Sequence, residues 1–570
     1  MPSNRRDFIK NVGGSAAIAL SGINLLACSS KAKNTGASRK PCQQQILEVS
    51  ENEAIVETTY GKIRGYRRNG IYTYKGIPYG ASTTGKNRFM APKEPEAWKG
   101  VRNALVWGNA APAEAGLGDP FVPNFDHMQG DFTFNWGHKR FDEDCLSVNV
   151  WTPAINDNEK RPVLVWFHGG GFAGGSSHEL DAYIGENLSR IGDVVVVTIN
   201  HRLNVFGFLN LGVIGGERYK DSATAGMQDC VAALKWVNQN IFDFGGDAEN
   251  VTIFGQSGGG AKVSILMAMP AAKGLFHKAM TISGVAIKIS SYDAQAETAK
   301  ALLKAARIRP SQIDKLQDIP WRDLMRITRS HRAIGHFAYS PCLDNLHIPQ
   351  DPFDPTAPKI SSGIPMIIGN CTGERSYSGN DPSLEDITFE KLIEELQNEH
   401  EGRGDLFGAP ALGSKAREVV AAYANAFPGK KPVDIWSMLS GRSRQLEQAI
   451  KQTENGGAVY NYWFDWATPL FDGRPRAYHN ADIPFWFNNT DVMETITGGG
   501  ERPRRLAEKM SLAVVHFARS GDPNHEGIPH WPKYDEADGA VMIWNDECLV
   551  RNDPDREARK LVDEIKKANS

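Results

Sequence analysis

Short apolar runs alternate with helical stretches along most of this chain, and this alternation restricts its fold more than any other feature. The run DVVVVTINHR is apolar over most of its length, which is typical of a central strand buried on both faces. Further strand-like runs are RPVLVWF, NVTIF, IPMIIG at 364–369 and AVYNYWFDW at 458–466. Strands that alternate with helices predict an α/β fold with a large, mostly parallel central sheet and helices on both faces.

The other segments of the folded body add to this sheet. AIVETTYGKIRGYRRNGIYTYKGIPYG contains β-type runs broken by glycines, which predicts a small antiparallel section. Residues 290–355 and 378–450 are mainly helical in pattern and predict large helical insertions between late strands. No linker or repeat divides residues 51–570, so we expect a single domain there.

The first fifty residues differ in composition from the rest. The paired arginines of NRRDF precede a moderately apolar run that ends at small residues, which resembles a bacterial twin-arginine export signal over 1–27. The following LLAC resembles a lipobox, which would make Cys28 the lipidated first residue, with 28–50 as a polar, flexible tether. We therefore expect an exported periplasmic or cell-envelope lipoprotein of a bacterium. The alternative is a plain exported protein cleaved near Ala27.

Charge and motifs argue against several other classes of function. The formal net charge is −3, so no strong field attracts nucleic acid. The sequence has neither zinc-type Cys/His spacing nor a phosphate-binding G-x-x-x-x-G-K-[ST] loop. No apolar run reaches the roughly 18 residues that cross a bilayer. We expect no metal, cofactor or nucleic acid, and membrane contact only through a lipid at Cys28.

The stretch TIFGQSGGGAKVS places Ser257 at the centre of a Gly-x-Ser-x-Gly motif. Alone the motif is weak, because the chain has 56 glycines. It lies, however, between a strand-like and a helix-like segment, which is the context of a nucleophile elbow. The tight turn needs flanking glycines and aims a helix N-terminus at the reaction centre. Ser257 is therefore the candidate nucleophile; the alternative is a glycine-rich turn.

A second glycine motif, HGGGF at 168–172, follows the strand-like run VLVWF. Such a run can turn successive N–H groups into a cavity, where they stabilise a tetrahedral oxyanion. Two such motifs in this order favour a serine hydrolase over a pair of structural loops.

With these motifs the chain, from about residue 54 to its C-terminal region, resembles the type-B carboxylesterases, the carboxylesterase/cholinesterase family of α/β-hydrolases. It is similar to bacterial para-nitrobenzyl-esterase-like members. The resemblance includes YKGIPYG, EDCLSVNVW, VWFHGGGF, VVVVTINHRLNVFGFL and SGDPNHEGIPHWPKY. It implies an α/β-hydrolase fold and hydrolysis of carboxylic esters. The family's elbow usually reads Gly-Glu-Ser-Ala-Gly. Here Gln256 and Gly258 replace two of its residues, and Gly258 suggests a more flexible oxyanion loop.

The nucleophile needs a base and an orienting acid, which follow it in the order acid and then histidine in α/β-hydrolases. AYHNADIPFWF is similar to the family's segment around the base, which implies His479, with Asn480 in place of the usual glycine. IPMIIGNCTGERS resembles the strand and loop that carry the acid, which implies Glu374.

The acid loop departs from the family pattern on both sides of Glu374. Gly373 stands where many relatives have Asp, and Arg375 stands where many have Gly. Three further carboxylates follow closely and are alternative acids: Asp381, Glu385 and Asp386.

The resemblance implies roles for other residues. Gly170, Gly171 and Gly258 match the three N–H donors of the oxyanion hole. Ser283 in TISG matches a serine that supports the acid by a hydrogen bond.

The cysteines are expected to be mostly reduced and buried, because twin-arginine export carries folded proteins, although an exported location permits a disulfide. Cys145 matches a cysteine that pairs with an upstream one in animal relatives. Its upstream candidates here are Cys28 and Cys42, both in the leader or tether, so we expect no such disulfide.

These observations predict a serine carboxylic-ester hydrolase that forms an acyl-enzyme from small to medium apolar or aryl esters. The aromatic segments FVPNFDHMQGDFTFNWGHKRF and DIPFWFNN either line a gorge or fill the core. Hydrolysis of amides or carbamates by the same site is one alternative function. The other is a non-catalytic, cholinesterase-like binding protein, which the complete set of triad candidates argues against.

Overall fold

The computed structural model describes residues 47–113, 140–330, 339–379, 381–397, 411–439 and 442–569. These residues belong to one compact unit. The predicted leader and most of the tether, with Cys28 and Cys42, lie outside them. No helix in this part of the chain combines the length and apolar character that a membrane span requires.

The described residues contain fifteen strands. They are β1 (Leu47–Glu48), β2 (Ile55–Thr58), β3 (Gly61–Arg64), β4 (Tyr66–Arg68), β5 (Ile71–Pro78), β6 (Val101–Asn103), β7 (Ser147–Thr152), β8 (Arg161–Phe167), β9 (Val195–Ile199), β10 (Gly246–Gln256), β11 (Lys278–Ile282), β12 (Met366–Cys371), β13 (Val459–Phe464), β14 (Ala540–Trp544) and β15 (Leu549–Asn552).

Fifteen α-helices lie in the same residues. They are α1 (Glu186–Gly192), α2 (Asn204–Phe208), α3 (Gly212–Gly215), α4 (Ala225–Asn240), α5 (Gly258–Leu266), α6 (Tyr292–Ala305), α7 (Trp321–Ser330), α8 (Phe389–Gln397), α9 (Ala416–Ala426), α10 (Pro432–Met438), α11 (Ser443–Glu454), α12 (Ile483–Trp486), α13 (Glu494–Thr497), α14 (Glu501–Ser520) and α15 (Arg556–Asn569).

Twelve of these strands form one sheet in the order β1-β4-β5-β7-β9-β8-β10-β11-β12-β13-β14-β15. Neighbours from β9 to β14 run parallel. The outer strands pair antiparallel at both edges. β2, β3 and β6 form a separate small sheet. The predicted α/β-hydrolase fold with a large, mostly parallel sheet is thus confirmed.

Side chains of the central strands alternate between two hydrophobic cores. In β8, Val163 and Val165 face the core that α4 and α5 cover, whereas Leu164 and Trp166 face the core that α14 covers. Successive strand residues point to opposite faces. A strand with helices on both sides is therefore apolar at nearly every position, which explains the continuous apolar runs.

The predicted insertions are helical in part. Residues 290–355 contain α6, α7 and a 3-10 segment, but 339–355 has no helix. Residues 378–450 contain α8, α9, α10 and most of α11. The strand predicted at 364–369 begins two residues later, at Met366, because the preceding Pro365 has no N–H to donate to the sheet.

Candidate active site

Ser257 occupies a sharp turn between β10 and α5. Its backbone has φ 56° and ψ −122°, a strained conformation for a residue with a side chain. The Ser257 N–H donates to the carbonyl of Ile282 at 2.8 Å, which ties the turn to the end of β11. The serine is partly exposed, although the strand residues before it are buried. This is the geometry of a nucleophile elbow.

The glycines after Ser257 each face the backbone of a neighbouring segment. An added Cβ would lie 2.2 Å from the Gly171 oxygen at Gly258, 2.0 Å from the Phe167 oxygen at Gly259, and 2.2 Å from the Gly284 oxygen at Gly260. Such distances leave no room for a methyl group. Gly258 therefore permits close packing of α5 against the oxyanion loop, a different role from the flexibility that the sequence suggested.

The carbonyl groups of the turn after β8 accept hydrogen bonds from protein donors. Gly170 and Gly171 adopt φ values of 78° and 62°, which glycine tolerates without strain. The Gly170 carbonyl accepts from the Gly174 N–H at 3.1 Å, and the Gly169 carbonyl lies 3.0 Å from His168 Nδ1. Among the described residues, the N–H groups of Gly170 and Gly171 donate to no protein acceptor. N–H groups that have no protein acceptor are what an oxyanion hole offers to a substrate.

Glu374 and His479 are hydrogen-bonded through Oε2 and Nδ1. Glu374, in the loop after β12, is 7 % exposed, and its Oε1 accepts from the Cys371 N–H at 3.0 Å. The His479 side chain, in the loop that follows β13, is 17 % exposed. The structure thus brings these two predicted residues together at the carboxyl edge of the sheet, where Ser257 also lies.

The alternative carboxylates have other partners or lie in solvent. Asp381 accepts from the backbone and side chain of Ser383, and Glu385 pairs with Arg476 and Lys431. Asp386 is exposed. Only Glu374 among the predicted acids contacts His479 in the described part of the chain.

Gln256 links the elbow to the loop that carries the histidine. Its Nε2 donates to the His479 carbonyl at 2.9 Å. A carboxylate at this position has no hydrogen to donate. The glutamine that replaces the family's usual glutamate therefore makes a contact that the glutamate cannot make.

Ser283 supports the acid loop less directly than predicted. Its Oγ accepts from the Cys371 N–H at 3.3 Å, and this same N–H donates to Glu374. No hydrogen bond joins Ser283 to Glu374 within the described residues. The predicted direct bond is therefore corrected to a contact through the backbone of Cys371, which the turn of the acid loop places between them.

Two buried ionisable residues of the site escaped the sequence analysis. Asp482 is fully buried and accepts from Tyr462 Oη at 2.8 Å and Trp486 Nε1 at 3.2 Å. Burial raises the pKa of Asp482 to about 7. Lys262, in α5, is also fully buried. A charged residue in the otherwise apolar helix GGGAKVSIL was the signal that could have drawn attention to it.

The aromatic segments have a mixed outcome. Most of the first, residues 121–139, lies outside the described residues. The second contributes Phe485, Trp486 and Phe487 to the core, where each is fully buried. This segment fills the core and does not line a gorge. Cys145 is buried and forms no disulfide among the described residues, and the same holds for Cys230, Cys342, Cys371 and Cys548.

The model of the carboxylesterase family matches residues 52–561. With its parallel sheet, nucleophile elbow and paired acid and histidine, the chain is an α/β-hydrolase that hydrolyses carboxylic esters. It belongs to the carboxylesterase family.

Relatives of known activity support this assignment. The chain is 34% identical over 516 residues to the para-nitrobenzyl esterase of Bacillus subtilis, covering 89% of this chain and 98% of the relative. It is 30% identical over 508 residues to the phenmedipham hydrolase of Pseudarthrobacter oxydans, covering 86% and 95%. A similar solved structure is an esterase from Clostridium hathewayi that can hydrolyse aliphatic aromatic polyesters. It matches with a TM-score of 0.77 and 36% identity over 91% of this chain and 100% of its own.

Proposed function

We propose that hydrolysis proceeds through a Ser257–His479–Glu374 triad and a covalent acyl-enzyme. The observation that carries this proposal is the hydrogen bond between Glu374 and His479 Nδ1, which leaves Nε2 as the nitrogen for proton transfer. The strained turn of Ser257 and the buried, anionic partner of the histidine are the features that such catalysis requires.

His479 removes the proton of Ser257 as its oxygen attacks the ester carbonyl. The charge that develops on the carbonyl oxygen is stabilised by the N–H groups of Gly170, Gly171 and Gly258. His479 then protonates the departing alkoxide, and the alcohol leaves an acyl-serine. Water, activated by the same histidine, releases the carboxylic acid and restores the serine. Glu374 orients the imidazole and stabilises its charged form throughout.

We also infer that the substrates are small to medium apolar or aryl esters. The names of two relatives support this class, because one acts on para-nitrobenzyl esters and another can hydrolyse aliphatic aromatic polyesters. A panel of p-nitrophenyl esters of increasing acyl length, assayed beside aryl carboxylate esters, tests it. Activity confined to charged or sugar esters would contradict it.

The triad is tested by hydrolysis of p-nitrophenyl butyrate by the parent protein and by Ser257→Ala. We expect turnover by the parent and a loss of at least about 10⁴-fold in kcat in the variant. Labelling of the parent, but not the variant, by a fluorophosphonate probe would locate the nucleophile. Equal turnover by a folded Ser257→Ala variant would exclude Ser257.

We further propose that the protein is exported through a twin-arginine signal and lipidated at Cys28. The proposal rests on the NRRDF and LLAC motifs. Incorporation of radiolabelled palmitate by the parent, and its loss in Cys28→Ala, is the expected result. An exported parent without label would favour a soluble protein cleaved near Ala27.

A further inference from the structure

Lys262 is a buried cation whose position calls for a physical reason. Its side chain is fully buried in α5, the helix that follows Ser257. Within the described residues, no carboxylate lies at ion-pair distance from its Nζ. Burial lowers the pKa of Lys262 to about 8, which reflects the cost of removing an ammonium group from water. Buried cations are normally retained only where they make specific contacts.

The contacts of Lys262 all lie on one loop. Its Nζ donates to the Gly171 carbonyl at 2.8 Å and to the His168 carbonyl at 3.2 Å. The same nitrogen lies 5.2 Å from the centre of the Phe172 ring. These three residues span the turn that presents the Gly170 and Gly171 N–H groups. Packing of the core alone does not require a lysine that bonds both ends of this turn.

The lysine completes a set of bonds to successive carbonyls. The Gly169 and Gly170 carbonyls are bound by His168 Nδ1 and by the Gly174 N–H. Lys262 binds the remaining two, at His168 and Gly171. A peptide unit joins the carbonyl of one residue to the N–H of the next, so the bonds to the Gly169 and Gly170 carbonyls hold the Gly170 and Gly171 N–H groups directly. The two bonds from Lys262 hold the peptide units on either side of these, which restricts rotation of the turn from both ends. A cation bonded to the carbonyls also increases the positive potential around the turn.

We propose that Lys262 is a positioning residue for the oxyanion hole. It holds the His168 and Gly171 carbonyls, in the peptide units that flank those carrying the Gly170 and Gly171 N–H groups, and so keeps these N–H groups facing the substrate above Ser257. This role rests on the proposed serine mechanism. It acts on the tetrahedral transition state and not on the bound ester, because the oxyanion forms only during reaction. Loss of the lysine should therefore lower kcat and leave KM nearly unchanged.

The test compares Lys262→Met with Lys278→Met. Methionine keeps the apolar stem of lysine and removes its donors. Lys278 is a matched control because it is 8 % exposed and its Nζ bonds a single side chain, that of Asn250, at the opposite end of the sheet. Both variants are assayed with p-nitrophenyl butyrate, and with an alkyl trifluoromethyl ketone and the matching methyl ketone as inhibitors.

We expect Lys262→Met to lower kcat by about 10- to 100-fold, less than typical loss of a direct oxyanion donor, with KM within about twofold of the parent. Inhibition by the trifluoromethyl ketone, which forms a tetrahedral adduct, should weaken by a similar factor. Inhibition by the methyl ketone should not change. Lys278→Met should match the parent in all three measurements.

Two results would overturn the role of Lys262 alone: a kcat within twofold of the parent, or equal weakening of both ketones. A parent without Ser257-dependent hydrolysis would instead overturn the proposed mechanism, and the role of Lys262 with it. If Lys262→Met fails to fold, it is replaced by Lys262→Gln, whose amide keeps N–H donors. Its kcat should fall by less than the about 10- to 100-fold expected for Lys262→Met. Unfolding of both variants would assign Lys262 a purely structural role and contradict the proposal.

Discussion

The two halves of the site are held together by different means. The nucleophile half, residues 168–171 and 257–260, is built from backbone segments in direct contact, with glycines where they meet. The acid–base half, residues 371–374 and 479–482, is held by hydrogen bonds to the Glu374 side chain, from His479 Nδ1 and from the Cys371 N–H. The first half depends on the absence of Cβ atoms and the second on donors and acceptors, so they should fail under opposite kinds of substitution.

Beyond the loss expected for Ser257→Ala, the largest expected effect tests the acid–base half. Glu374→Gln replaces the anionic acceptor of His479 by an amide of the same shape. The amide favours the wrong tautomer of the imidazole and stabilises its charged form poorly. We expect kcat for p-nitrophenyl butyrate to fall by about 10³- to 10⁴-fold. Asp381→Asn, the matched control in the following loop, should retain parent activity. Parent activity in Glu374→Gln together with a large loss in Asp381→Asn would instead identify Asp381 as the acid.

The second prediction compares a methyl group added to each half. Gly258→Ala places a Cβ 2.2 Å from the Gly171 oxygen, whereas Gly373→Ala places one 3.3 Å from its nearest neighbour, the Ala477 oxygen. The first must displace the oxyanion loop, and we expect a loss of about 10- to 100-fold in kcat. The second should change kcat by less than about threefold, since only a small shift is needed. Similar losses in both variants would show that the halves do not differ in this way.

Gln256 joins the two halves, and its substitution should have a smaller effect. Gln256→Glu removes the donor to the His479 carbonyl and adds a negative charge beside the histidine loop. We expect a three- to tenfold decrease in kcat, of the order of one hydrogen bond. Gln256→Met, which removes the donor without adding charge, separates the two contributions. Unchanged kcat in both variants would make the link dispensable.

The smallest effect concerns pH and the buried carboxyl of Asp482. Its folded-state pKa of about 7 lies above its ordinary 3.8, so the folded state holds this proton more tightly than the unfolded state. The resulting stability is complete below pH 4 and is lost as the pH rises to about 7. Between pH 5 and 8, Tm of the parent should fall by about 1–2 °C more than Tm of Asp482→Asn. Parallel curves for the two proteins would contradict a raised pKa.

Local pattern was enough to select the candidates of the nucleophile half, because their signals lie in continuous stretches. The elbow around Ser257 and the loop at Gly170 and Gly171 each follow a strand whose apolar run is visible in the sequence. The acid–base half depended on family resemblance. Glu374 and Asp381 are both loop carboxylates, and nothing local distinguishes the one that meets His479.

The sequence by itself determined the alternation of strands and helices, the glycine turns and the order of the catalytic candidates, because these depend on residues close together in the chain. Only the tertiary structure decided which carboxylate meets His479 and that Ser283 acts through Cys371. It also decided that Phe485 and its neighbours fill the core and that Lys262 holds the oxyanion loop. Each of these contacts joins segments distant in sequence, and the burial that gives them their energetic weight arises only when the sheet and its loops come together.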